Sequence, residues 1–430
     1  MSRRRPARAP EREESPQPKR PRQKRTHPLE HQILLTATLC LLAAGAVMVY
    51  SASSARTLLE GQGDGSAYLV KYAAYGTLGF IVMHLVARYP LDRIRKLTPI
   101  ILGIAFVLLV LVKIPGIGIT VNGARRWLGA GPLQFQPSEV MKLALLLYAV
   151  RMLADKPKLV LEPRLLAPLG IVAGAAALLI ASQPDLGTAL VIGFTITALL
   201  VAAGISLRHL LIGGAVMGVL VLIFALLEPY RRARLTSFIN PWQDAGGAGF
   251  QSVQGQIALG SGGLFGRGLG ESTQKALYLP EAHTDFILAI IGEELGVFGV
   301  AVLLFLYGLV AYAGLRIAKA ARDRYSQLLA AGLTAMVLCQ ASLNVFTVLG
   351  LAPLTGVPLP FISYGSTNLC VLLAAMGLLL NVARRSSLGL AVVPRRAVAG
   401  SRTDGQGPHR SRRDGGARGA GAGGRRRAAG

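Results

Sequence analysis

Ten apolar segments set the fold of this 430-residue chain. A helix that crosses a bilayer needs about 20 mostly apolar residues, and in lipid its backbone must satisfy its own hydrogen bonds. Segments of this kind lie at Ile33–Tyr50, Tyr68–Ala87, Pro99–Val112, Pro137–Leu153, Leu165–Ala181, Thr188–Gly204, Leu211–Leu227, Asp285–Ala313, Leu328–Leu349 and Thr367–Val382. The sequence therefore predicts an all-α, polytopic membrane protein with about ten transmembrane helices.

The composition agrees with a membrane protein and places most of the charge at the two ends. Hydrophobic residues make up 52% of the chain and charged residues 16%, against about 25% charged residues in soluble proteins. The net charge is +25, and the two ends hold 16 of these charges. We predict disordered basic tails at 1–31 and 384–430 around a membrane core at 32–383. Such tails favour contact with anionic lipid headgroups over nucleic-acid binding.

The distribution of Lys and Arg between loops predicts the orientation. With both termini in the cytoplasm, every inside loop carries Lys or Arg, whereas the outside loops 51–67, 183–187 and 350–365 together hold one basic residue, Arg56. Two predicted outside loops break this rule: 114–136, with Arg125 and Arg126, and the large extracytoplasmic loop 228–282. The second loop holds Arg231, Arg232, Arg234, Arg267 and Lys275. Cations on the unfavoured face indicate anion binding, although a long translocated loop also tolerates a few charges.

Several common sites are absent from the sequence. No G-x-x-x-x-G-K-[ST] motif occurs, so a P-loop nucleotide site is excluded. The glycine-rich stretch 260–270 does not match the dinucleotide fingerprint, and the six histidines show no zinc-binding spacing. Cys40, Cys339 and Cys370 all lie in apolar runs, so no disulfide framework is expected.

Polar residues at membrane depth are the main functional signal. Glu281, His283 and Asp285 stand where a polar loop enters an apolar run, and burying such groups is costly unless they are paired or functional. For Asp285 a helix N-cap is the alternative interpretation. Glu293 and Glu294 lie deeper in the same run.

Polar residues also stand at the start of two other predicted helices. Glu139 and Lys142 are three residues apart, so they share a helix face and can pair, either as a simple ion pair or as one wall of a cavity. Asp185 precedes another span, where an N-cap is the plain interpretation.

Glycines with a small-xxx-small spacing predict close helix packing. They occur at Gly170-xxx-Gly174, Gly214-xxx-Gly218 and Gly292-xxx-Gly296.

Ordered motifs across the membrane core resemble those of the SEDS family (shape, elongation, division and sporulation), and within it the FtsW division branch. The matching motifs are Met48–Ser54, Val121–Trp127, Gln136–Lys142, Gln183–Thr188, Arg234–Trp242, Gln274–Lys275 with Tyr278–Asp285, Ile291–Gly296 and Leu359–Gly365. The chain departs from the usual family pattern at Leu354–Thr355 and at Ser366–Asn368.

The resemblance implies an activity, partners and a set of site residues. It implies a peptidoglycan glycosyltransferase that polymerises lipid II for septal wall synthesis and works with a class B penicillin-binding protein and other cell-division proteins. Asp285 is similar to the catalytic aspartate of the family. The candidate substrate-binding residues are Glu139, Lys142, Arg125, Arg126, Glu281, His283, Asp185 and Ser363. No metal is required, and Mg²⁺ or Mn²⁺ between Asp285 or Glu281 and a diphosphate stays open.

Other functions fit the same residues. A lipid II flippase would use a similar polar cavity, with Glu293 or Glu294 in a proton relay. A non-catalytic scaffold would recruit its partner through the helices and would tolerate loss of Asp285. Elongation and sporulation remain alternatives to the division branch.

Overall fold

The ten predicted apolar segments all form helices. The computed structural model describes residues 29–59, 65–121, 123–130, 133–157, 162, 166–226, 229–275 and 278–390. Within these residues the chain forms twelve α-helices: α1 (Leu29–Leu59), α2 (Ala67–Arg88), α3 (Leu91–Leu111), α4 (Pro137–Asp155), α5 (Ala167–Ala181), α6 (Leu186–Ala203), α7 (Leu207–Leu226), α8 (Pro229–Ile239), α9 (Phe250–Ser261), α10 (Ile287–Ala320), α11 (Arg324–Val348) and α12 (Ser366–Leu390). All except α8 and α9 correspond to predicted spans, and the fold class is confirmed.

Length and composition separate these helices into groups. Among the described residues, seven are long and apolar enough to cross a membrane: α1, α2, α3, α6, α10, α11 and α12. Apolar stretches in α5 and α7 are shorter, at Ala167–Ala181 and Leu207–Val219. α4 carries four charged side chains, at Glu139, Lys142, Arg151 and Asp155. Its inner turns are nevertheless almost entirely buried.

The centre of the bundle is built by α4, α11, α12 and the first turns of α10. α11 packs against α4, α6 and α10, while α1 covers the other side of α10. The largest hydrophobic cluster includes Leu146, Phe286, Met336 and Leu379, all fully buried. By contrast, α7 contacts only α6 and α8 among the stronger helix pairs, and most of its side chains are exposed.

A small sheet lies in the predicted outside loop 114–136, where the sequence predicted no regular structure. β1 (Gly118–Val121), β2 (Ala124–Ala130) and β3 (Leu133–Phe135) form an antiparallel sheet in the order β1-β2-β3. β2 contacts α4 and β3 contacts α12. The sheet therefore fixes Arg125, Arg126 and Trp127 over one end of the bundle.

α10 is broken inside its length. Gly296 has φ 67° and ψ −166°, which is not helical and is accessible essentially to glycine alone. The loop after α9 fills the break: Arg267 N–H donates to the carbonyl of Glu293 at 3.0 Å, and Val297 N–H to that of Gly263 at 3.0 Å. The backbone groups released by the break are thus paired, as a membrane interior requires.

The predicted tails lie almost wholly outside the described residues. α1 begins at Leu29 and α12 reaches Leu390, so the helices extend a few residues into the segments assigned to the tails.

Candidate functional site

Asp285 lies in a loop just before α10, and its carboxylate does not cap the helix. The N-cap of α10 is Phe286, and no side chain caps this helix. Instead, the Asp285 carboxylate accepts a hydrogen bond from the Thr284 hydroxyl at 3.1 Å. The Asn344 amide holds the backbone carbonyl of Asp285 at 2.7 Å. The N-cap interpretation of Asp285 is therefore wrong, and its carboxylate lines a cavity.

The surroundings of Asp285 raise the pKa of its carboxyl group toward neutral pH. Burial, followed by the neighbouring Glu281 carboxylate, raises the pKa of Asp285 from 3.8 to about 6. Hydrogen bonding by Thr284 and the charge of Arg234 oppose this rise. A carboxyl group with a pKa in this range is suited to general base catalysis.

Glu281 and His283 belong to the same loop and line the same cavity. Glu281 has φ 55°, a left-handed conformation that is uncommon outside glycine. Its carboxylate accepts from the Thr284 hydroxyl at 3.0 Å, so one hydroxyl bridges the Glu281 and Asp285 carboxylates. His283 is buried, and its ring centroid lies 4.4 Å from that of Tyr68.

Glu139 and Lys142 form the predicted pair at the start of α4. Both side chains are buried, and Lys142 Nζ lies 2.8 Å from Glu139 Oε2. Lys142 also donates to Gln340 Oε1 at 2.6 Å, while Glu139 lines the cavity and Lys142 does not. The Lys142 ammonium group therefore pairs with the Glu139 carboxylate from outside the cavity lining.

Asp185 and Arg126 form a second polar wall. Asp185 is the N-cap of α6, as the plain interpretation predicted, and accepts from the backbone N–H of Thr188 at 3.3 Å. It also accepts from Ser138 Oγ at 2.8 Å. Arg126 donates to the backbone carbonyls of Gln183 and Pro184. Its guanidinium thus holds the turn that carries Asp185, and both residues line the cavity.

Besides Lys142, two predicted substrate-binding residues, Arg125 and Ser363, are not among the residues that line the cavity. Arg125 donates to the backbone carbonyl of Lys113 at 3.1 Å. Ser363 is buried, and its hydroxyl accepts from the backbone N–H of Leu359 at 2.8 Å, which closes a turn. The structure thus places both residues in local structural contacts.

The sequence reasoning did not select two cations that line the cavity, Lys71 and Arg234. Lys71 projects from α2 and makes no ion pair with the residues described. Its Nζ lies 5.6 Å from the centroid of the Tyr68 ring. Arg234, from α8, lies close enough to Asp285 to favour its ionised form. Arg234 had a sequence signal, as a cation on the unfavoured face, whereas no motif or loop pattern marked Lys71.

Other cations of the large loop bind the chain's own carboxylates. Lys275 Nζ lies 2.9 Å from Glu294 Oε1, and Arg267 lies 3.5 Å from Glu293. Neither glutamate lines the cavity. Glu293 and Glu294 therefore fasten the large loop to α10, and this pairing gives a structural reason for their burial.

The cavity has a volume of about 630 Å³. Side chains from α2, β2, α4, α8 and the loops before α6, α10 and α12 converge on it. Its acidic lining residues are Glu139, Asp185, Glu281 and Asp285, and its basic lining residues are Lys71, Arg126 and Arg234. Leu354, Thr355 and Asn368, where the chain departs from the usual family pattern, also line it.

Within the described part of the chain, no three His, Cys, Asp or Glu side chains come together as a metal cluster. The Glu281 and Asp285 carboxylates, bridged by Thr284, are the acidic pair that a divalent cation would meet in the cavity.

Comparison with known proteins settles the family. A family model described as cell cycle protein, FtsW/RodA/SpoVE, matches residues 31–388. The chain belongs to the FtsW/RodA/SpoVE family. The match includes every candidate site residue and runs from the first turn of α1 to the last turn of α12.

Relatives with different names are about equally similar to the chain. Stage V sporulation protein E of Bacillus subtilis is 41% identical over 82% of this chain and 97% of its own length. The probable peptidoglycan glycosyltransferase FtsW of Geobacter sp. is 40% identical over 82% of this chain and 96% of its own. The FtsW/RodA/SpoVE membership is thus clear, and these identities do not separate division from sporulation.

Solved structures agree with the fold. A protein from a peptidoglycan synthase complex that coordinates polymerization and crosslinking matches with a TM-score of 0.67 and 30% identity, over 82% of this chain and 96% of that one. The rod shape determining protein RodA of Thermus thermophilus matches with a TM-score of 0.60 and 30% identity, over 82% and 95%. The multi-pass helical architecture of the family is therefore that of this chain.

Proposed function

We propose that this protein polymerises lipid II into glycan strands for septal wall synthesis and releases undecaprenyl diphosphate. The observation that carries the proposal is the Asp285 carboxylate, which lines a polar cavity and has a pKa raised to about 6. The relatives give the class of enzyme, because several carry the name peptidoglycan glycosyltransferase. This chain is an enzyme of that class.

The chemistry requires one base and stabilisation of a diphosphate. The 4-hydroxyl oxygen of the acceptor sugar attacks the anomeric carbon of the donor, and the bond from that carbon to the diphosphate oxygen breaks. Asp285 takes the hydroxyl proton, and the departing diphosphate carries the electron pair. Lys71 and Arg234 line the same cavity, where cations stabilise the charge that develops on the leaving group.

An apolar groove adjoins the cavity and fits the lipid part of such a substrate. The groove has a volume of about 340 Å³ and is lined by α2, β3, α4 and α12, including Leu78, Val82 and Val371. It shares Tyr75, Gln134 and Ser366 with the cavity. A polyprenyl chain in this groove would leave its diphosphate at the edge of the polar cavity.

A second enzyme would cross-link the glycan strands of the cell wall. The structural relative belongs to a complex that coordinates polymerization and crosslinking, and we propose a class B penicillin-binding protein as the cross-linking partner here. Division is the branch that we propose, with the protein at the septum alongside other cell-division proteins. A fluorescent fusion should concentrate at mid-cell before constriction, and an even distribution along the side wall would instead indicate elongation.

The decisive experiment is lipid II polymerisation by the purified protein, with and without the candidate partner. Asp285→Asn should lower the rate at least about a hundredfold, since an amide cannot accept the proton and a general base contributes roughly 10²–10⁴-fold. Asp92→Asn, an exposed carboxylate on α3, is the matched control and should keep the parental rate. A rate for Asp285→Asn above about a tenth of the parent would move the base elsewhere, to Glu281 first.

The same assay separates the alternative functions. A flippase would move lipid II without lengthening glycan, and a scaffold would retain function after loss of Asp285.

The proposed topology is tested by single-cysteine labelling from outside the cell. Ser252→Cys, in the large loop, should react, whereas Ser401→Cys should not, and the reverse pattern would overturn cytoplasmic termini.

A further inference from the structure

Three aromatic rings meet at one wall of the cavity. Tyr68 of α2 lies 4.4 Å from His283 and 5.1 Å from Tyr364 between ring centroids, and the two tyrosine rings are perpendicular. His283 and Tyr364 lie 5.9 Å apart. The rings come from three segments distant in sequence, and all three line the cavity. We call Tyr68, His283 and Tyr364 the aromatic wall.

The hydroxyl groups of Tyr68 and Tyr364 are the second feature of the aromatic wall. Both side chains are half-buried, and neither phenol makes a hydrogen bond with the residues that the structure describes. A buried tyrosine hydroxyl usually has a partner, as Tyr307 has in the carbonyl of Pro360. Tyr68 and Tyr364 therefore present a ring and a free donor to the cavity at the same place.

The aromatic wall is tied to the reacting end of the cavity. Tyr364 N–H donates to the carbonyl of His283 at 2.9 Å, and His283 stands two residues before Asp285. On the other side, Lys71 Nζ lies 5.6 Å from the centroid of Tyr68. The wall thus lies between the carboxylate that takes a proton and a cation that can meet a phosphate.

We propose that Tyr68 and Tyr364 form a sugar-binding subsite for the hexosamine ring that adjoins the diphosphate of the lipid-linked substrate. This inference rests on the proposed function. A pyranose ring carries C–H groups on its faces and hydroxyls at its edge, so it matches an aromatic face flanked by hydrogen-bond donors. His283 backs Tyr68 and holds Tyr364 through its backbone, which makes it a positioning residue.

Packing alone does not account for this arrangement. Rings that only fill a core become fully buried among aliphatic neighbours, as Phe286 and Phe361 are in this protein. Tyr68 and Tyr364 instead remain partly open to a polar cavity of about 630 Å³. A bound ring would cover this open surface and supply partners for both hydroxyls.

The test compares lipid II with undecaprenyl diphosphate, which lacks the disaccharide and its attached peptide. The dissociation constant of undecaprenyl diphosphate divided by that of lipid II measures the contribution of this headgroup, and the tyrosine variants test the part of it that the two rings supply. Binding is followed by the fluorescence of Trp127, which lines the cavity, in a Trp242→Phe background that removes the second tryptophan. Asp285→Asn is included so that no glycan is made during the titration.

Tyr68→Leu and Tyr364→Leu should each reduce this ratio about threefold to tenfold, the effect of losing one ring contact and one hydrogen bond. Tyr68→Phe and Tyr364→Phe should reduce it less, because they remove only the hydroxyl. Tyr50→Leu, an exposed tyrosine of α1 outside the cavity, is the matched control and should leave the ratio unchanged.

A merely structural role for the tyrosines would weaken both ligands equally and leave the ratio constant, which would overturn the inference. So would a parent protein that binds the two ligands with equal affinity. The proposed function is tested separately, by glycan synthesis in the parent protein. If the parent polymerises lipid II but the variants leave the ratio unchanged, the proposed subsite is wrong and the proposed function stands.

Discussion

Lys275 and Glu294 form an ion pair inside the protein, with Nζ of the lysine 2.9 Å from Oε1 of the glutamate. The Glu294 carboxylate also accepts from the hydroxyl of Ser51 at 2.7 Å. One pair therefore joins three segments: the large loop, α10 and α1. The loop continues from Lys275 to Asp285, so this pair anchors the segment that carries the proposed base.

Removing one partner of the Lys275–Glu294 pair should destabilise the folded protein. Lys275→Met leaves a buried carboxylate without its cation, and removing one partner of a buried pair costs about 3–5 kcal/mol. We expect a clear fall in melting temperature, followed by tryptophan fluorescence, together with a lower kcat for polymerisation. Adding Glu294→Leu to Lys275→Met should recover most of the stability, because no unpaired charge then remains.

An exposed ion pair provides the matched control for this prediction. Arg316 lies 3.4 Å from Glu30, with more than half of the arginine side chain exposed. Arg316→Met should cost less than about 1 kcal/mol. Equal losses in Arg316→Met and Lys275→Met would mean that burial of Lys275–Glu294 carries no special weight.

Gly296 should be the least replaceable glycine of α10. A Cβ there would lie 2.4 Å from the backbone nitrogen of Gly266, and the residue has positive φ. Gly296→Ala should therefore destabilise the protein by several kcal/mol and loosen the loop after α9. The melting temperature of purified protein measures this effect.

Gly308 is the matched control on the same helix. Its Cβ position has open space around it, so Gly308→Ala should be neutral or stabilise by about 0.5–1 kcal/mol, as alanine does in a helix. If Gly296→Ala were as stable as Gly308→Ala, the break in α10 would not depend on glycine.

Hydropathy predicted the ten apolar helices because the apolar character of a helix is a local property, readable from about 20 residues. Contacts between distant segments were harder to predict. Among the residues that the structure describes, the Gly170-xxx-Gly174 and Gly214-xxx-Gly218 motifs meet nothing within 4 Å at their Cβ positions, so the predicted close packing of these glycines is wrong for this part of the chain. Gly292 and Gly296 do pack closely: Gly292 meets Leu259 of α9, and Gly296 meets Leu264 and Gly266 in the loop after α9.

In the candidate site, too, local features were predicted from the sequence and contacts between distant segments were not. The i, i+3 pairing of Glu139 and Lys142 is local, and the sequence predicted it correctly. Lys71 enters the cavity only because α2 lies beside the loops of α10 and α12, which no local pattern reveals. Arg125 and Arg126 looked equivalent, but only Arg126 lines the cavity. The register of β1 and β2 is irregular at this point, since Thr120 pairs with Arg125 and Ile119 with Trp127, which leaves Arg126 as the extra residue of a bulge.

Glu139 and Lys142 should act as one unit. Glu139→Gln and Lys142→Met should each lower polymerisation, and Lys142→Met should be the worse for stability because it strands a buried carboxylate. The double variant should be less impaired than the product of the single effects, since both singles break the same contact. Strictly additive effects on kcat/KM would show that the two side chains are not coupled.

The rate of polymerisation should depend on pH through Asp285. A base with a pKa of about 6 must be ionised to act, so kcat/KM should rise with pH through about 6 and level off above 7. Glu281→Gln removes a like charge that raises the Asp285 pKa, so the midpoint should move to lower pH. A pH–rate profile from 5 to 8.5 measures both, and a midpoint that Glu281→Gln does not move would exclude this coupling.

Stability should change in the opposite sense to activity. The folded-state pKa of Asp285 lies above its ordinary value of 3.8, so folding favours the protonated carboxyl. Its contribution to stability is most favourable below about pH 4 and is lost as pH rises through about 6. Asp285→Asn should therefore raise the melting temperature at pH 7.5 relative to the parent, and this advantage should disappear near pH 4. A protein that becomes less stable at pH 7.5 with asparagine would show that the ionised carboxylate is a structural partner, which conflicts with its role as a base held in an unfavourable setting.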